Sequence, residues 1–195
     1  MSTLRDSRPL AVDRNGRVNL ARQVRSANCD ARPADAEITL AVVHGISVPP
    51  GEFGGSGIDE LFTNRLDPKA HPAYAAIADL RVSAHFLVRR DGALVQFVPC
   101  GMRAWHAGVS RWQGRKRCND FSVGIELEGT DTLPYSGAQY AILARLLKAL
   151  YRRYRIRHVV GHSDIAPGRK TDPGPAFDWS RLARLITAGH SRSPR

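Results

Sequence analysis

The sequence predicts a single α/β domain. Short apolar, β-branched runs alternate along the chain with segments of helical periodicity, and no linker or internal repeat marks a second unit. The length of 195 residues suits one core that buries about 70% of the surface of the unfolded chain. We therefore expect one domain over 1–195, in which the polar N-terminal segment 1–27 and the tail 190–195 are peripheral or disordered.

Composition narrows the functional classes. Arginine-rich helix faces best explain the net charge of +11; an anionic small substrate is the second explanation, and nucleic acid is third because no nucleic-acid-binding motif is present. No apolar leader or membrane-length run occurs, so we expect a cytoplasmic monomer without a membrane partner. An odd number of cysteines without CxxC spacing indicates free thiols at Cys29, Cys100 and Cys118.

The first predicted strand is Ile38–His44, a short β-branched run that ends before a glycine. A glycine-rich loop over 51–57 follows it. Two short helices are then predicted, over Ile58–Phe62 and Pro72–Ala78.

An antiparallel hairpin is predicted next. The apolar runs Ala84–Val88 and Ala93–Val98 flank an Asp-Gly pair, which is a strong hairpin signal. The following run, Phe121–Glu128, alternates strictly and predicts a half-buried strand. Its second face carries Glu126 and Glu128.

Helical patterns dominate the last third of the chain. Ser136 and Gln139 form a capping-box pattern at the start of the longest predicted helix, whose apolar stripe we assign to the core. That stripe consists of Tyr140, Leu143, Leu147, Leu150 and Tyr151. A strand leading into His162 and a short helix near Asp178–Ile186 complete the domain.

The loop after this last strand has the composition of a metal site. His162 stands at the end of a buried strand, and a loop stiffened by three prolines carries Asp164, Lys170 and Asp172. Zinc favours imidazole and carboxylate ligands with one position left for water. The loop supplies two ligands, so a third must come from elsewhere.

His44 is the best candidate for the third ligand. Like His162, it stands at the end of an apolar strand, although the two residues lie far apart in the chain. A histidine in this position can also be a hydrogen-bonded structural residue, and the local pattern leaves both interpretations open.

Several sequence blocks carry a family resemblance. They are Val43-His44, Pro49–Gly55, Arg81–His85, Arg89–Gly92, Ala104–Gly108, Arg117–Ser122, Gly124–Asp131 and the loop that begins at His162. Together they resemble the zinc N-acetylmuramoyl-L-alanine amidases, and most closely the cytoplasmic 1,6-anhydro-N-acetylmuramoyl-L-alanine amidases of bacterial cell-wall recycling. The resemblance extends from about Asn28 to Trp179.

The resemblance implies a fold and a metal. Members of the family share a mixed central β-sheet with helices packed on both sides, an architecture also found in peptidoglycan recognition proteins. Their Zn²⁺ is held by residues that correspond to His44, His162 and Asp172. Asp164 is the rival carboxylate, but a strand end before Pro167 favours a capping or supporting role for it.

The resemblance also implies a catalytic pair, which corresponds to Glu126 and Lys170. General chemistry agrees, because a zinc-activated water needs a proton acceptor and a positive charge beside the metal stabilises an oxyanion. Glu128 lies on the same face as Glu126 and is expected to be structural or solvated. A plain surface role is the competing interpretation of Lys170.

Four further residues are candidates for substrate binding. The guanidinium groups of Arg81 and Arg117 suit carboxylates or acyl groups. Trp105 offers an aromatic face for a sugar, with packing as a comparable explanation, and His106 lies in a loop that can line the cleft. His85, in contrast, is expected to be a buried structural residue.

As a whole, the resemblance implies a zinc amidase that cleaves anhydro-muropeptides, small substrates in which 1,6-anhydro-N-acetylmuramic acid is joined to L-alanine. The alternatives are an amidase of intact peptidoglycan and, less favoured, a non-catalytic peptidoglycan-binding protein of the same fold. One departure concerns Gly45, which stands where family members often carry Asn. A substrate-facing amide hydrogen bond is therefore expected to be absent or replaced by water.

Overall fold

The structure, a computed structural model that describes residues 8–188, is built around a mixed β-sheet. In chain order, the strands are β1 (Arg22–Gln23), β2 (Cys29–Ala31), β3 (Leu40–Ile46), β4 (Phe86–Val88), β5 (Leu94–Gln96), β6 (Met102–Ala104), β7 (Arg111–Trp112), β8 (Arg115–Lys116), β9 (Ser122–Glu128) and β10 (His158–Gly161). The α-helices are α1 (Gly57–Phe62), α2 (Gly137–Arg153), α3 (His162–Ile165) and α4 (Trp179–Thr187). A short 3-10 helix covers Cys118–Asp120.

Six strands form the central sheet, in the spatial order β1-β5-β4-β9-β3-β10. β9 pairs in parallel with β3 on one side and with β4 on the other, whereas β4 and β5 form the predicted antiparallel hairpin. Every residue of β9 is buried. The prediction that Phe121–Glu128 is half-buried is therefore wrong, because a central strand of a sheet covered on both faces has no solvated side.

Helices cover both faces of the sheet, as the sequence predicts. On one face, α2 and α4 pack against Val43 of β3 and Ile125 of β9. On the other face, α1 packs with Leu87 of β4, and α3 packs with Val42 of β3. The sheet is thus the middle layer of an α/β sandwich.

The capping box at the start of α2 is present. Ser136 Oγ accepts a hydrogen bond from Gln139 N at 3.1 Å, and Gln139 Oε1 accepts one from Ser136 N at 2.9 Å. The Gln139 amide also donates to the carbonyl oxygens of Val88 and Glu128. One side chain therefore both begins the helix and attaches it to β4 and β9.

The second predicted short helix, Pro72–Ala78, is wrong. This segment is a run of turns, in which Tyr74 N bonds to His71 O and Ile77 N bonds to Tyr74 O. Most of its backbone hydrogen bonds join residues three apart, and only Ala78 N to Tyr74 O has the four-residue spacing of an α-helix. The first predicted helix matches α1, and the helix predicted near Asp178–Ile186 matches α4.

The N-terminal segment is more deeply integrated than the sequence predicts. Leu10 and Val18 are buried in the core under α2. Gln96 Oε1 accepts a hydrogen bond from Val18 N, and Gln96 Nε2 donates to Gly16 O, both at 2.8 Å. The expectation of a peripheral segment therefore fails for residues 8–27, whereas 1–7 and the tail 190–195 lie outside the described residues.

Two expectations about composition can be compared with the structure. All three cysteines are free, and Cys100 and Cys118 are buried. Within residues 8–188, no helix combines the length and apolar character needed to cross a membrane.

His85 and Arg32 form a buried polar pair beside β4. The Arg32 guanidinium donates to four backbone carbonyl groups, those of Cys100, Asn119, Asp120 and Ser122. The His85 ring accepts a hydrogen bond from Gly124 N at Nδ1, and its Nε2 lies 3.1 Å from Met102 O. Burial, together with the positive charge of Arg32, lowers the pKa of His85 to about 3. The ring is therefore neutral, as expected for a buried structural histidine.

This neutral ring predicts a pH-dependent stability. We expect the difference in unfolding free energy between the protein and its His85→Gln variant to shrink by about 2 kcal/mol between pH 7 and pH 5. The ring takes up a proton in the unfolded chain below pH of about 6.5, but not in the folded chain until about pH 3. The contribution of the His85 ring to the unfolding free energy is thus complete above about pH 6.5 and is lost as the pH falls towards about 3. Urea unfolding of both proteins at the two pH values measures this change, and an unchanged difference would contradict it.

Candidate metal centre and active site

The register of β3 against β9 places a histidine beside a glutamate. His44 and Glu126 are paired across these parallel strands, whose backbones lie about 4.8 Å apart. Both side chains leave the face opposite α2, since they share the orientation of Val42, which packs away from that helix. The two groups are therefore neighbours on one face of the sheet.

The second histidine begins a helix. Gly161 at the end of β10 pairs with Val43 of β3, and His162 is the first residue of α3. Asp164 Oδ2 accepts a hydrogen bond from Gly161 N at 2.7 Å and so satisfies a free backbone donor at the helix start. Asp164 thus has the capping role that the sequence favours.

Backbone hydrogen bonds return the loop after α3 to the start of that helix. Asp172 O accepts from Ser163 N at 3.0 Å, and Pro173 O accepts from the Tyr135 hydroxyl, also at 3.0 Å. These contacts hold the Asp172 carboxylate beside both histidines.

Three ligand atoms converge here in a nearly equilateral triangle. His44 Nδ1 lies 3.0 Å from His162 Nδ1, and each nitrogen lies 3.2 Å from Asp172 Oδ2. Within residues 8–188, these three residues form a group that can hold a metal ion. The structure therefore brings together the three residues that the sequence singles out as metal ligands.

Burial sets the charges of this group. It lowers the pKa of His44 to about 4, although the hydrogen bond to Asp172 opposes the shift. For Asp172, burial acts against ionisation, but hydrogen bonds with His162 and His44 outweigh it and hold the carboxyl pKa well below its ordinary value. A neutral imidazole and a carboxylate anion are the forms in which these side chains bind metals.

Glu126 is a buried acid beside this group. Its side chain is 7% exposed, and its Oε2 atom has no hydrogen-bond partner among the described residues. Burial and the nearby charge of Asp172 raise its pKa well above the ordinary value, while Lys170 acts in the opposite direction. A buried carboxyl group with a raised pKa is a typical candidate for proton transfer in an active site.

Lys170 reaches the same electrostatic environment from the loop between α3 and Asp172. Its side chain is exposed, yet its charge lowers the pKa of both Glu126 and His44. The ammonium group of Lys170 therefore acts electrostatically on both residues, and its catalytic role stays a prediction.

Glu128 has a structural role instead. It is buried, its Oε1 accepts from Gly54 N at 2.8 Å and from Arg89 at 2.9 Å, and its Oε2 accepts from Arg90 N at 3.1 Å. Both carboxylate oxygens are therefore engaged within the fold, whereas Glu126 Oε2 has no hydrogen-bond partner among the described residues.

The loop Trp105–Gly108 lies against both histidines. His106 Nδ1 is 2.9 Å from His44 Nε2, and Ala107 O is 3.3 Å from His162 Nε2. His106 is only 9% exposed, and its other ring nitrogen lies 3.1 Å from Ser122 Oγ. The expectation that His106 lines the cleft is therefore not met, because both ring nitrogens face groups of the protein.

The other three candidates for substrate binding are more accessible. Trp105 is half-buried, and its Nε1 donates to Asp30 Oδ1 at 3.2 Å, so one edge of the indole is fixed. Arg117 is exposed and lies 3.1 Å from the Asp120 carboxylate. Arg81 is also exposed, and its guanidinium bonds to a nearby carbonyl, Asp79 O, at 3.3 Å.

Arg169 is a residue of this region that sequence reasoning missed. Its guanidinium donates to Ala107 O at 2.7 Å and to Val109 O at 2.8 Å, which joins the loop Trp105–Gly108 to the loop of Lys170. A groove of about 650 Å³ adjoins it and is lined by Val109, which is 86% exposed, and by several cationic side chains. Those cationic residues are Arg111, Lys116, Arg117 and Arg169. A single arginine in so basic a chain carries no signal that would have identified it.

The fold and this site define a class of protein. A family model described as N-acetylmuramoyl-L-alanine amidase matches residues 34–175. The chain therefore belongs to the N-acetylmuramoyl-L-alanine amidase family.

Its relatives include one particular type of amidase. The chain is 62% identical to the 1,6-anhydro-N-acetylmuramyl-L-alanine amidase AmpD of Escherichia coli K12 over 169 residues, which are 86% of this chain and 92% of the relative. A crystal structure of a selenomethionine derivative of AmpD superposes with a TM-score of 0.87 at 60% identity, and the match covers 89% of this chain and 98% of that one.

Two more distant structures extend the comparison. The amidase AmiD of Escherichia coli, solved with the substrate anhydro-N-acetylmuramic acid-L-Ala-D-γ-Glu-L-Lys, is 31% identical with a TM-score of 0.57, over 91% of this chain and 65% of that one. Drosophila peptidoglycan recognition protein SA, at 19% identity and a TM-score of 0.53 over 78% of this chain and 80% of that one, shares the fold. The predicted architecture is thereby confirmed.

Gly45 does not open towards the cleft. A Cβ atom at this position would overlap with the Tyr135 hydroxyl, the same hydroxyl that donates to Pro173 O. A side chain here would meet Tyr135 before it could reach a substrate, so the expected loss of a substrate contact does not follow from this glycine.

We expect Asp172→Asn to weaken zinc binding by more than the roughly 100-fold that loss of an outer hydrogen-bond partner costs. The substitution removes the negative charge and an oxygen of the ligand triangle. Competition with a chromophoric chelator measures the affinity. Asp164→Asn is the matched control, because Asp164 caps Gly161 N and lies outside the triangle. Equal affinities of the two variants would contradict the assignment.

Proposed function

We propose that this chain is a zinc-dependent amidase that hydrolyses the bond between 1,6-anhydro-N-acetylmuramic acid and L-alanine in muropeptides released during peptidoglycan recycling. The observation that carries the proposal is the triangle of His44, His162 and Asp172 with the Glu126 carboxyl on the same face of the sheet. The names of AmpD and of the AmiD substrate complex support the choice of substrate.

The three ligands fit a zinc ion. Ligands of a tetrahedral zinc site at bond lengths of about 2.0–2.1 Å lie about 3.3 Å apart. The observed separations of 3.0–3.2 Å are close to this value. The partnerless Oε2 atom of Glu126 also fits, because a buried carboxyl oxygen next to a metal site can bind a water there.

Zinc, when bound, supplies Lewis acidity that activates water and polarises the amide carbonyl. Glu126 then has the position to accept a proton from the attacking water and to deliver it to the departing amine of L-alanine. Its buried environment, which raises its pKa, favours the protonated form needed for the second transfer.

Lys170 has a different task in this proposal. Its positive charge lowers the pKa of Glu126 and so acts on the site. A cation beside the metal would stabilise the negative charge that develops on the amide oxygen during attack.

The surroundings suit a small anionic substrate. Arg117 and Arg169 line the groove beside the loop Trp105–Gly108, and guanidinium groups bind the carboxylates of a peptide stem well. The aromatic face of Trp105 is the surface we assign to the sugar. We retain Arg81 as a further candidate for the muropeptide. A cytoplasmic location, a monomeric state and the lack of nucleic-acid and membrane partners stay predictions from the sequence.

The substrate can be tested directly. We expect the zinc-loaded protein to release the peptide from anhydro-muropeptide much faster than from intact murein, because the adjoining groove of about 650 Å³ has the size of a site for a small ligand. Mass spectrometry of parallel digestions measures both products. Intact anhydro-muropeptide after incubation with stoichiometrically loaded protein would contradict the proposal.

The role of Glu126 in proton transfer can be tested against Glu128, which lies on the same face of the same strand. We expect Glu126→Gln to retain zinc and to lower turnover by about 10²–10⁴-fold, the usual contribution of general acid–base catalysis. Glu128→Gln, which disturbs the contacts with Arg89 and Gly54, is expected to lower thermal stability while the folded protein stays active. Inactivity of folded Glu128→Gln with full activity of Glu126→Gln would reverse the assignment.

A further inference from the structure

We propose that His106 is a positioning residue that fixes the proton and the orientation of the metal-facing His44 ring. The inference rests on the proposed metal site. The geometry that points to it is a chain of three side chains, in which His44 Nε2 lies 2.9 Å from His106 Nδ1 and His106 Nε2 lies 3.1 Å from Ser122 Oγ.

The direction of these hydrogen bonds follows from the metal-facing atom. A His44 ring that presents the lone pair of Nδ1 to a metal carries its proton on Nε2. That proton is donated to His106 Nδ1, so His106 in turn carries its proton on Nε2 and donates it to Ser122 Oγ. The opposite proton placement on His106 would set two N–H groups against each other at 2.9 Å.

A glycine leaves space for the three hydrogen-bonded side chains. Gly124 lies in the middle of β9, and a Cβ atom there would overlap with the His106 ring. Glycine in a strand interior weakens the strand, and it is typical of places where another group approaches the backbone closely. The close approach here is that of the His106 ring.

The backbone around His106 is held as firmly as its ring. Asn119 Oδ1 accepts from His106 N at 3.2 Å and from Ala107 N at 2.8 Å. Ala107 O, directly after His106, accepts from His162 Nε2, which leaves His162 Nδ1 free for the metal. The loop Trp105–Gly108 therefore sets the proton position of both histidine ligands, one through a side chain and one through a carbonyl group.

The experiment measures zinc affinity instead of turnover. We expect His106→Leu to lower the affinity by about 10–100-fold, because a leucine cannot accept the His44 Nε2 proton. His106→Asn restores an acceptor oxygen near the position of Nδ1 and is expected to bind zinc more tightly than His106→Leu. His71→Leu, at a partly exposed histidine beside Glu52, is the control and should leave the affinity unchanged.

A second measurement does not require any variant to fold. Nitrogen-15 NMR of the zinc-loaded wild-type protein at neutral pH reports the protonated nitrogen of each ring. We expect protons on Nε2 of His44, His106 and His162.

Two results would overturn the inference: a folded His106→Leu variant with wild-type affinity, or a proton on Nδ1 of His106. Failure of the wild-type protein to bind zinc would contradict the proposed metal site instead.

Discussion

The parallel pairing of β3 with β9 is the constraint on which the site depends. It sets His44 beside Glu126, and the alternation of both strands sends Val43 and Ile125 into the opposite core under α2. A slip of one residue would move the Glu126 side chain to the face covered by α2 and would bury the wrong side chains at the same time. The apolar residues that stabilise the fold therefore also determine which polar groups meet.

Burial then prepares two chemically different groups in one place. Removing water lowers the pKa of His44 and raises the pKa of Glu126, since both shifts disfavour the charged form. The first shift favours the neutral imidazole that binds metals, and the second favours the protonated carboxyl over the carboxylate. Asp172 is the exception, because two histidines hydrogen-bond to its ionised form. The same buried environment therefore gives His44, Glu126 and Asp172 different pKa shifts, because their contacts differ.

Local patterns explain which parts of this structure the sequence could predict. The Asp-Gly hairpin and the Ser136 capping box depend on neighbouring residues, and both were found correctly. Positions after apolar runs, together with the family resemblance, identified the two histidines that the structure brings together with Asp172. The contact between His106 and His44 joins β3 to a loop that is distant in sequence, and it depends on the space at Gly124. Hydrophobic periodicity therefore could not predict it. Arg169 has no identifying signal either, because it is one of many arginines in a chain with a net charge of +11.

The N-terminal segment gives the sheet a protected border. Residues 8–33 precede the range matched by the amidase family model, yet Arg22–Gln23 pair with β5 and form one edge of the sheet. This border strand is two residues long and exposed, with a charged arginine at its start. Short, charged borders discourage edge-to-edge association between molecules. The segment thus helps to keep molecules from associating through their sheet edges, an effect that is separate from the chemistry of the metal-binding site.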